Sequence, residues 1–206
     1  MRGALIVVEG LDRAGKSTQC ERIERNVKTQ LGRECVLYKF PDRTTAIGST
    51  INNYLQNTDT QLSDEAIHLL FSANRWERAQ EIINKLNAGV TVVLDRYVYS
   101  GIAFSMVKGL DPAWCKSPDV GLPGADLVLF LDVTEDVAKK RGGYGSERYE
   151  KIEIQRAVRK AFLEDLRADN WTIIDANNDL DAVETDIFAA IKSTFNNLPE
   201  QISVFK

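Results

Sequence analysis

Residues 5–18, LIVVEGLDRAGKST, join a short apolar run to a glycine-rich turn and to the first residues of a helical pattern. The run 4–8, ALIVV, is continuously apolar, which is typical of a strand buried on both faces, as in a parallel sheet. The segment 10–17 that follows matches the spacing Gly-x-x-x-x-Gly-Lys-Ser/Thr. From Lys16 to Leu31 apolar residues recur at steps of three or four, which predicts a helix. Strand, turn and helix in this order predict a phosphate-binding loop at residues 10–17, called the phosphate loop below.

The chemistry of such a loop follows from its residue types. Its glycines let several backbone N–H groups point at one anion, and the N-terminus of the following helix adds partial positive charge. Lys16 would reach the β- and γ-phosphates of a nucleoside triphosphate, and the hydroxyl of Ser17 would bind Mg²⁺. Arg13 lies inside the loop, where its guanidinium either reaches the transferred phosphoryl group or is solvated at the loop tip. The spacing does not choose between these two alternatives.

The rest of the chain alternates between strand and helix patterns. Further apolar runs predict strands at 35–40, 90–94, 127–131 and 171–174. Helical patterns lie at 63–86, near 97–107, and along two apolar stripes that end at Leu166 and Phe195. Because strands separated by helices connect by right-handed crossovers, we expect an α/β fold, a five-stranded parallel sheet with helices on both faces. The whole chain, 1–206, is predicted to form a single domain.

Two segments between these elements are predicted to be loops. One holds Pro112, Pro118 and Pro123. The other, at about 139–150, is rich in glycine and basic residues, and is either a lid that closes over phosphates and excludes water or an ordinary surface loop.

A phosphate loop needs a second acidic residue to hold the metal, usually at the end of a neighbouring strand. Two predicted strands end in aspartate, at Asp95 and at Asp132. Asp95 is favoured because Arg96 follows it, so that charge neutralisation and metal binding would meet at one strand end. The pattern alone leaves both candidates open.

Composition limits the classes of partner. Lys and Arg number 26 against 30 Asp and Glu, a net charge of −4, whereas proteins that coat nucleic acid or a membrane surface usually carry the opposite sign. We therefore expect neither nucleic acid nor membrane as a partner. Three cysteines with no C-x-x-C pair, together with a single histidine, argue against a zinc cluster. The cysteines are expected to be reduced, which favours the cytoplasm and leaves a nuclear or mitochondrial pool open.

The phosphate acceptor is predicted to be a nucleotide or another phosphate. Phe71 and Arg75 share one helix face, where a ring and a planar donor could stack on a base and bond its edge. The alternatives are core packing for Phe71 and a solvated surface position for Arg75. His68 has no recognisable nucleophile partner in the sequence, so a helix-packing role is expected for it rather than a catalytic one.

The chain resembles the thymidylate kinases of the eukaryotic and poxviral type in six segments, which occur in family order. They are GLDRAGKSTQ (10–19), FPDRTTAIG (40–48), HLLFSANRWE (68–77), DRYVYSGIAF (95–104), PDVGLPGADLVLFLDV (118–133) and RGGYGSERYE (141–150). The first is generic among phosphate loops, whereas FSANRWE and DRY are specific to the family. The resemblance implies a homodimeric P-loop NTPase fold. It also implies Mg²⁺-dependent transfer of the γ-phosphoryl of ATP to dTMP, giving dTDP and ADP in dTTP biosynthesis.

The resemblance further implies a role for individual residues. The catalytic residues would be Arg13, Lys16, Asp95 and Arg96, and the metal would be held by Ser17 and Asp95. ATP would be bound by Arg13, Ala14, Gly15, Lys16, Ser17, Thr18, Arg96, Arg141 and Asn178, the last two beside the adenine. The acceptor dTMP would be bound by Asp12, Phe40, Arg43, Phe71, Arg75, Arg96, Gly101, Phe104 and Tyr149.

Four of the acceptor assignments are specific. Asp12 would accept a hydrogen bond from the sugar 3′-hydroxyl, and Arg43 would bind the monophosphate. Phe71 would stack on thymine, and Arg75 would bond a carbonyl on its edge. Among the catalytic residues, Asp95 would act through metal and water, and Arg96 would bridge the donor and acceptor phosphates.

Overall fold

The computed structural model describes residues 2–141, 148–149 and 151–206. Its strands are β1 (Leu5–Gly10), β2 (Cys35–Lys39), β3 (Thr91–Asp95), β4 (Leu127–Asp132) and β5 (Trp171–Asp175). Its α-helices are α1 (Lys16–Leu31), α2 (Ala46–Gln56), α3 (Asp64–Asn87), α4 (Val98–Met106), α5 (Pro112–Lys116), α6 (Glu135–Lys140), α7 (Ile152–Lys160) and α8 (Leu180–Asn196). A single 3₁₀ turn, Ser117–Asp119, follows α5, and a π-helical segment, Ala161–Leu166, continues α7.

The five strands form one parallel sheet in the order β2-β3-β1-β4-β5. The central strand β1 is buried along its whole length, as its apolar run predicts. Successive side chains of a strand point to opposite faces, so Leu5 and Val7 join one core while Ile6 and Val8 join the other. Helices α3, α4 and α7 cover the first core, and α1 and α8 cover the second. The expected α/β sheet with helices on both faces is therefore confirmed.

This strand order determines where a ligand can bind. After β1 the chain continues into α1 on one face, and after β3 it continues into α4 on the other. The connections thus diverge at the carboxyl ends of two neighbouring strands, with Val8 opposite Asp95 in their ladder. In open α/β sheets a crevice forms at such a point, and ligands bind there.

Three helices were not expected from the sequence. Helix α2 was missed, and α5 lies where prolines predicted a loop. Pro112 occupies the first turn of α5, where no backbone N–H is needed, and the Asp111 side chain accepts a hydrogen bond from the N–H of Trp114 at 2.8 Å. Helix α6 includes the first two residues of the predicted lid, and residues 142–147 and 150 of that lid lie outside the described residues.

We find no membrane-crossing helix among the described residues, since none of their helices combines enough length with enough apolar character.

Candidate active site

A cavity of about 610 Å³ opens at the carboxyl ends of β1 and β3. It brings together all but two of the residues that the sequence predicted for the site. Its lining includes Asp12, Arg13, Gly15, Lys16, Ser17, Thr18, Phe40, Arg43, Phe71, Arg75, Asp95, Arg96, Gly101, Phe104, Arg141 and Tyr149. The two exceptions are Ala14, which is buried within the phosphate loop, and Asn178, which lies in the exposed turn after β5.

The phosphate loop has the backbone of an anion cradle. Arg13 and Gly15 both have positive φ, 66° and 90°, so the chain curls between β1 and α1. Gly10 has φ 148°, and a Cβ at that position would lie 2.7 Å from the carbonyl oxygen of Leu131. Only glycine fits there, because the loop passes against the neighbouring strand β4.

Two contacts of Arg141 tie the phosphate loop to the turn after β5. Its Nη1 donates to the carbonyl of Arg13 at 2.9 Å, and its Nη2 donates to the carbonyl of Ala176 at 2.6 Å. Asn178 is two residues beyond Ala176 in this turn, where its side chain donates to the carbonyl of Asp175 at 3.4 Å. The segment predicted to face adenine is thus linked to the loop predicted to hold phosphate.

Ser17 and Asp95 lie side by side in the lining of the cavity. The Ser17 hydroxyl donates to Asp95 Oδ2 at 2.6 Å, and Lys39 Nζ lies 3.8 Å from the same oxygen. Asp132, the alternative, instead accepts two hydrogen bonds from Arg159 Nε and Nη2, each at 2.7 Å. Of the two strand-terminal aspartates, the structure therefore places Asp95 next to the phosphate loop.

Lys16 is buried beneath the phosphate loop. Its Nζ donates to the carbonyl of Leu11 at 2.6 Å. Burial, with a smaller contribution from the nearby charge of Arg96, lowers the pKa of the Lys16 ammonium to about 8.

Arg96 joins the two halves of the cavity. It has φ 67°, and its Nη1 donates to the carbonyl of Gly10 at 3.2 Å and to Ser100 Oγ at 3.1 Å. Its Nη2 pairs with Asp12 Oδ1 at 2.5 Å. Burial opposes ionisation of Asp12, but the charges of Arg96 and Lys16 outweigh it and hold the pKa of this carboxyl below its ordinary value.

The side of the cavity that the sequence assigns to the acceptor is formed by α3, α4 and Tyr149. Phe71 is half-buried and lines the cavity, so it is not simply a core residue. Arg75 is almost fully buried and paired with Asp119, so the alternative of a solvated surface arginine is wrong. Tyr149 packs against Phe104 with ring centroids 5.5 Å apart, and its hydroxyl accepts from Lys108 Nζ at 2.6 Å.

Phe40 and Arg43 follow β2. Phe40 is buried and packs against Tyr97 with ring centroids 5.8 Å apart. Arg43 Nη1 donates to Asn52 Oδ1 of α2 at 2.7 Å. Helix α2, which the sequence did not predict, thereby orients an arginine assigned to the acceptor phosphate.

His68 is buried on α3. Its Nδ1 lies 2.7 Å from Ser105 Oγ, and its Nε2 lies 2.9 Å from the carbonyl oxygen of Cys115. Burial lowers the pKa of the imidazole, and its two contacts join α3 to α4 and α5, while the ring also lines the cavity.

These features match one family throughout the chain. The family model described as thymidylate kinase matches residues 8–187. The chain is 51% identical to the thymidylate kinase of Schizosaccharomyces pombe, over 98% of this chain and 97% of that protein. This chain belongs to the thymidylate kinase family. It is also 47% identical to the thymidylate kinase of Homo sapiens, over 90% of this chain and 88% of that protein.

The structural comparison agrees. The solved structure of thymidylate kinase from Candida albicans superimposes with a TM-score of 0.88 at 40% identity, covering 100% of this chain and 99% of that chain. The fold is therefore that of P-loop NTPases, and the resemblance noted in the sequence is confirmed. As a thymidylate kinase, the protein transfers the γ-phosphoryl of ATP to dTMP, giving dTDP and ADP.

Sequence reasoning missed several residues that hold this kinase site together. Glu9 is fully buried and accepts hydrogen bonds from the N–H of Tyr97 at 2.9 Å and from Ser100 Oγ at 2.6 Å. Gln155 of α7 donates to Asp12 Oδ2 at 2.8 Å. A lone carboxylate at the end of an otherwise apolar strand was a usable signal for Glu9, whereas nothing local pointed to Gln155.

The lowered pKa of Lys16 predicts an alkaline loss of ATP use. As pH rises through about 8, the ammonium of enzyme that has not yet bound ATP loses its proton and with it the positive charge that attracts phosphate. We expect kcat/KM for ATP, measured at saturating dTMP, to fall from neutral to alkaline pH. Lys16→Arg, whose guanidinium stays charged, should show a flatter profile at lower overall activity. A wild-type profile as flat as that of Lys16→Arg would contradict the prediction.

Proposed function

We propose that the cavity is the catalytic centre of this kinase, with the triphosphate of ATP on the phosphate loop and dTMP between α3 and α4. The observation that carries this proposal is the convergence of Lys16, Ser17, Asp95 and Arg96 at the carboxyl ends of two adjacent strands. Phosphoryl transfer depends mainly on positioning the reactants and on neutralising the charge of the phosphates, and this cluster of side chains can do both.

ATP is assigned to one side of this centre. Its phosphates would be held by Arg13, Ala14, Gly15, Lys16, Ser17, Thr18 and Arg96. Arg141 and Asn178 would flank the adenine, which the link from Arg141 to the turn after β5 supports.

The acceptor dTMP is assigned to the other side. Asp12, Phe40, Arg43, Phe71, Arg75, Gly101, Phe104 and Tyr149 would line its pocket, and Arg96 would lie between the two phosphates. The contact of Arg96 with Asp12 supports this position, because it fixes the guanidinium between the phosphate loop and α4.

The chain's own groups account for the stabilisation of a loose, charge-spread transition state. Lys16, Arg13 and Arg96 would donate to the equatorial oxygens of the transferred phosphoryl. Their fixed positions matter more than the basicity of any carboxylate, because donors that are already oriented need no reorganisation during the reaction. Asp95 would therefore act by holding a metal and water rather than as a strong base.

The residues present fit Mg²⁺. Ser17 offers a hydroxyl and Asp95 a carboxylate, which are hard oxygen ligands, and Mg²⁺ in kinase sites takes few protein ligands beside phosphates and water. When bound, the ion would neutralise charge on the β- and γ-phosphate oxygens. Ser17 and Asp95 would hold it beside the phosphate loop.

A comparison of the two strand-terminal aspartates tests the metal assignment. We expect Asp95→Asn to raise the Mg²⁺ concentration needed for half-maximal rate by about tenfold or more. The matched control is Asp132→Asn, which removes the charge and one acceptor oxygen of the pair with Arg159 and should leave the Mg²⁺ requirement unchanged. The assignment of Asp95 would be wrong if both variants needed the same Mg²⁺ concentration for half-maximal rate.

We also propose that residues 1–206 act as one domain with a lid at about 139–150. Arg141, at the described end of that segment, already contacts the phosphate loop. Closure of this segment over bound ATP would exclude water and limit hydrolysis.

A homodimer is proposed as the working assembly. Leu69 and Trp76 are large apolar side chains that lie exposed seven residues apart on α3, and Val120 is exposed nearby in the chain segment that packs on this helix. Such an apolar patch marks an interaction site more often than a solvated surface. Sedimentation equilibrium should give the mass of two chains, and Trp76→Lys should shift it toward one.

A cytoplasmic location is proposed on the state of the thiols. All three cysteines are free and buried, and burial raises the pKa of Cys35 to about 12. Unpaired, unreactive thiols suit a reducing compartment.

A further inference from the structure

The carboxylate of Asp119 forms a bidentate ion pair with Arg75. Arg75 Nε donates to Asp119 Oδ1 at 3.0 Å, and Arg75 Nη2 donates to Asp119 Oδ2 at 2.7 Å. The two residues are 3% and 0% exposed, so neither charge is solvated. A buried pair of this geometry fixes the plane of the guanidinium as well as its location.

Helix α4 contacts the guanidinium at Gly101. A Cβ added at Gly101 would lie 2.8 Å from Arg75 Nη2 and 3.0 Å from Nη1, so the guanidinium packs against bare backbone. Arg75 carries five N–H donors, of which Asp119 takes one from Nε and one from Nη2. The two donors of Nη1 and one of Nη2 remain for a ligand in the cavity that Arg75 lines.

The turn that carries Asp119 is itself held in place. Ser72 Oγ of α3 lies 2.7 Å from Asp119 Oδ1, and Trp76 Nε1 donates to the carbonyl of Pro118 at 2.8 Å. On the other side Gly121 donates its N–H to the carbonyl of Phe205 at 3.0 Å. The carboxylate thus belongs to a rigid support rather than to a mobile loop.

Arg75 is almost fully buried and lines the part of the cavity beside Gly101 of α4. With the acceptor phosphate toward the phosphate loop, as proposed above, the edge of a pyrimidine farthest from its sugar would face Arg75. In thymine that edge carries the 4-carbonyl, which accepts hydrogen bonds. In cytosine the same position carries an amino group, which donates them. A guanidinium only donates, so it favours the first and rejects the second.

We propose that Asp119 is a positioning residue for base selection. It holds the guanidinium of Arg75 so that the remaining donors face the 4-position of the pyrimidine, and a mismatched base cannot be accommodated by rotating the arginine. This inference rests on the role proposed above for Arg75. It extends that role to a residue that touches neither nucleotide.

The test uses the full chain and two acceptors, dTMP and 5-methyl-dCMP. They share the 5-methyl group and the sugar phosphate but differ at the 4-position (carbonyl against amino) and at N3 (N–H against a bare nitrogen). Asp119→Asn keeps the shape of the side chain but removes its charge and one of the two acceptor oxygens. We expect KM for dTMP to rise and the ratio of kcat/KM for dTMP to that for 5-methyl-dCMP to fall about tenfold. The KM for ATP should stay within about twofold, because the phosphate loop is untouched.

A matched control is present at the opposite end of the sheet. Asp126 accepts from Arg2 Nη1 at 2.8 Å and from Nη2 at 2.5 Å, and both side chains are 5% exposed. Asp126→Asn removes a comparably buried carboxylate and should lower the Tm in the same way. Its ratio of kcat/KM for dTMP to that for 5-methyl-dCMP, called the acceptor ratio below, should remain that of the wild type. Its KM for dTMP should also be unchanged.

A second variant covers the case in which Asp119→Asn does not fold. Ser72→Ala leaves the ion pair intact but removes the hydroxyl beside Asp119 Oδ1, and we expect the acceptor ratio to fall by about twofold to threefold. A ratio equal to that of the wild type in every folded variant of Asp119 and Ser72 would overturn the proposal.

Arg75→Ala separates this inference from the role on which it rests. If Arg75→Ala lowers the acceptor ratio and Asp119→Asn does not, Arg75 selects the base without Asp119 and only the present inference fails. If Arg75→Ala leaves the ratio unchanged, the proposed role of Arg75 fails and the inference fails with it. If both variants lower the acceptor ratio, the result supports the role of Arg75 and the role of Asp119 together.

Discussion

Alanine in place of Arg13 is expected to lower kcat for dTMP phosphorylation about a hundredfold. Arg13 lies in the phosphate loop with φ 66° and lines the cavity beside Lys16 and Ser17. A cation built into the loop would donate to the transferred phosphoryl as its charge spreads, an interaction stronger in the transition state than in bound ATP. The loss should therefore appear in kcat, with little change in the KM for ATP.

A change in backbone conformation would not explain the expected loss of kcat. Alanine, like arginine, has a Cβ and meets the same cost at positive φ, so the loop conformation itself is not favoured or disfavoured by the exchange. Arg25→Ala is the matched control, since Arg25 is exposed on α1 and pairs with Glu184. Steady-state kinetics that show the same kcat for Arg13→Ala and Arg25→Ala would refute the catalytic role.

Alanine in place of Arg75 is expected to lower kcat/KM for dTMP about a hundredfold, as the loss of a charge-assisted hydrogen bond to the base allows. The KM for ATP should change little, because Arg75 lines the part of the cavity that is proposed for dTMP. Removing the cation also leaves Asp119 buried without its partner, which should lower the free energy of unfolding by about 3–5 kcal/mol. Kinetics therefore need to be measured well below the Tm of the variant.

Arg2→Ala separates the two consequences of the Arg75 exchange. It breaks the buried pair with Asp126 and should cost comparable stability, yet it lies far along the sheet from the cavity and should leave kcat/KM for dTMP intact. If Arg75→Ala lowered kcat/KM equally for dTMP and for ATP, the result would count against a role of Arg75 in recognising the base. So would a loss of dTMP use in Arg2→Ala of the same size.

The fold followed from local sequence because its main signals are local. A strand made only of apolar residues is stable when both of its faces are buried. Residues 5–8 are all buried, and their side chains point alternately into two different hydrophobic cores. Helix α3 begins where Ser63 accepts a hydrogen bond from the N–H of Ala66 at 3.2 Å, a cap readable from the sequence. Helix α2 was missed because nothing in its pattern outweighed its polar and β-branched residues.

The sequence by itself determined the phosphate loop, the alternation that makes the sheet, and, through its motifs, the family. Those features depend on spacing along the chain, which needs no knowledge of what lies nearby in space. Spacing alone left Asp95 and Asp132 open and the family resemblance favoured Asp95, but only the tertiary structure shows that Asp95 contacts Ser17 while Asp132 pairs with Arg159. The same holds for Asp119 and Gln155, which meet Arg75 and Asp12 across 44 and 143 residues of chain. Contacts between side chains so distant in sequence arise from the packing of helices and turns onto the sheet, and no local pattern records them.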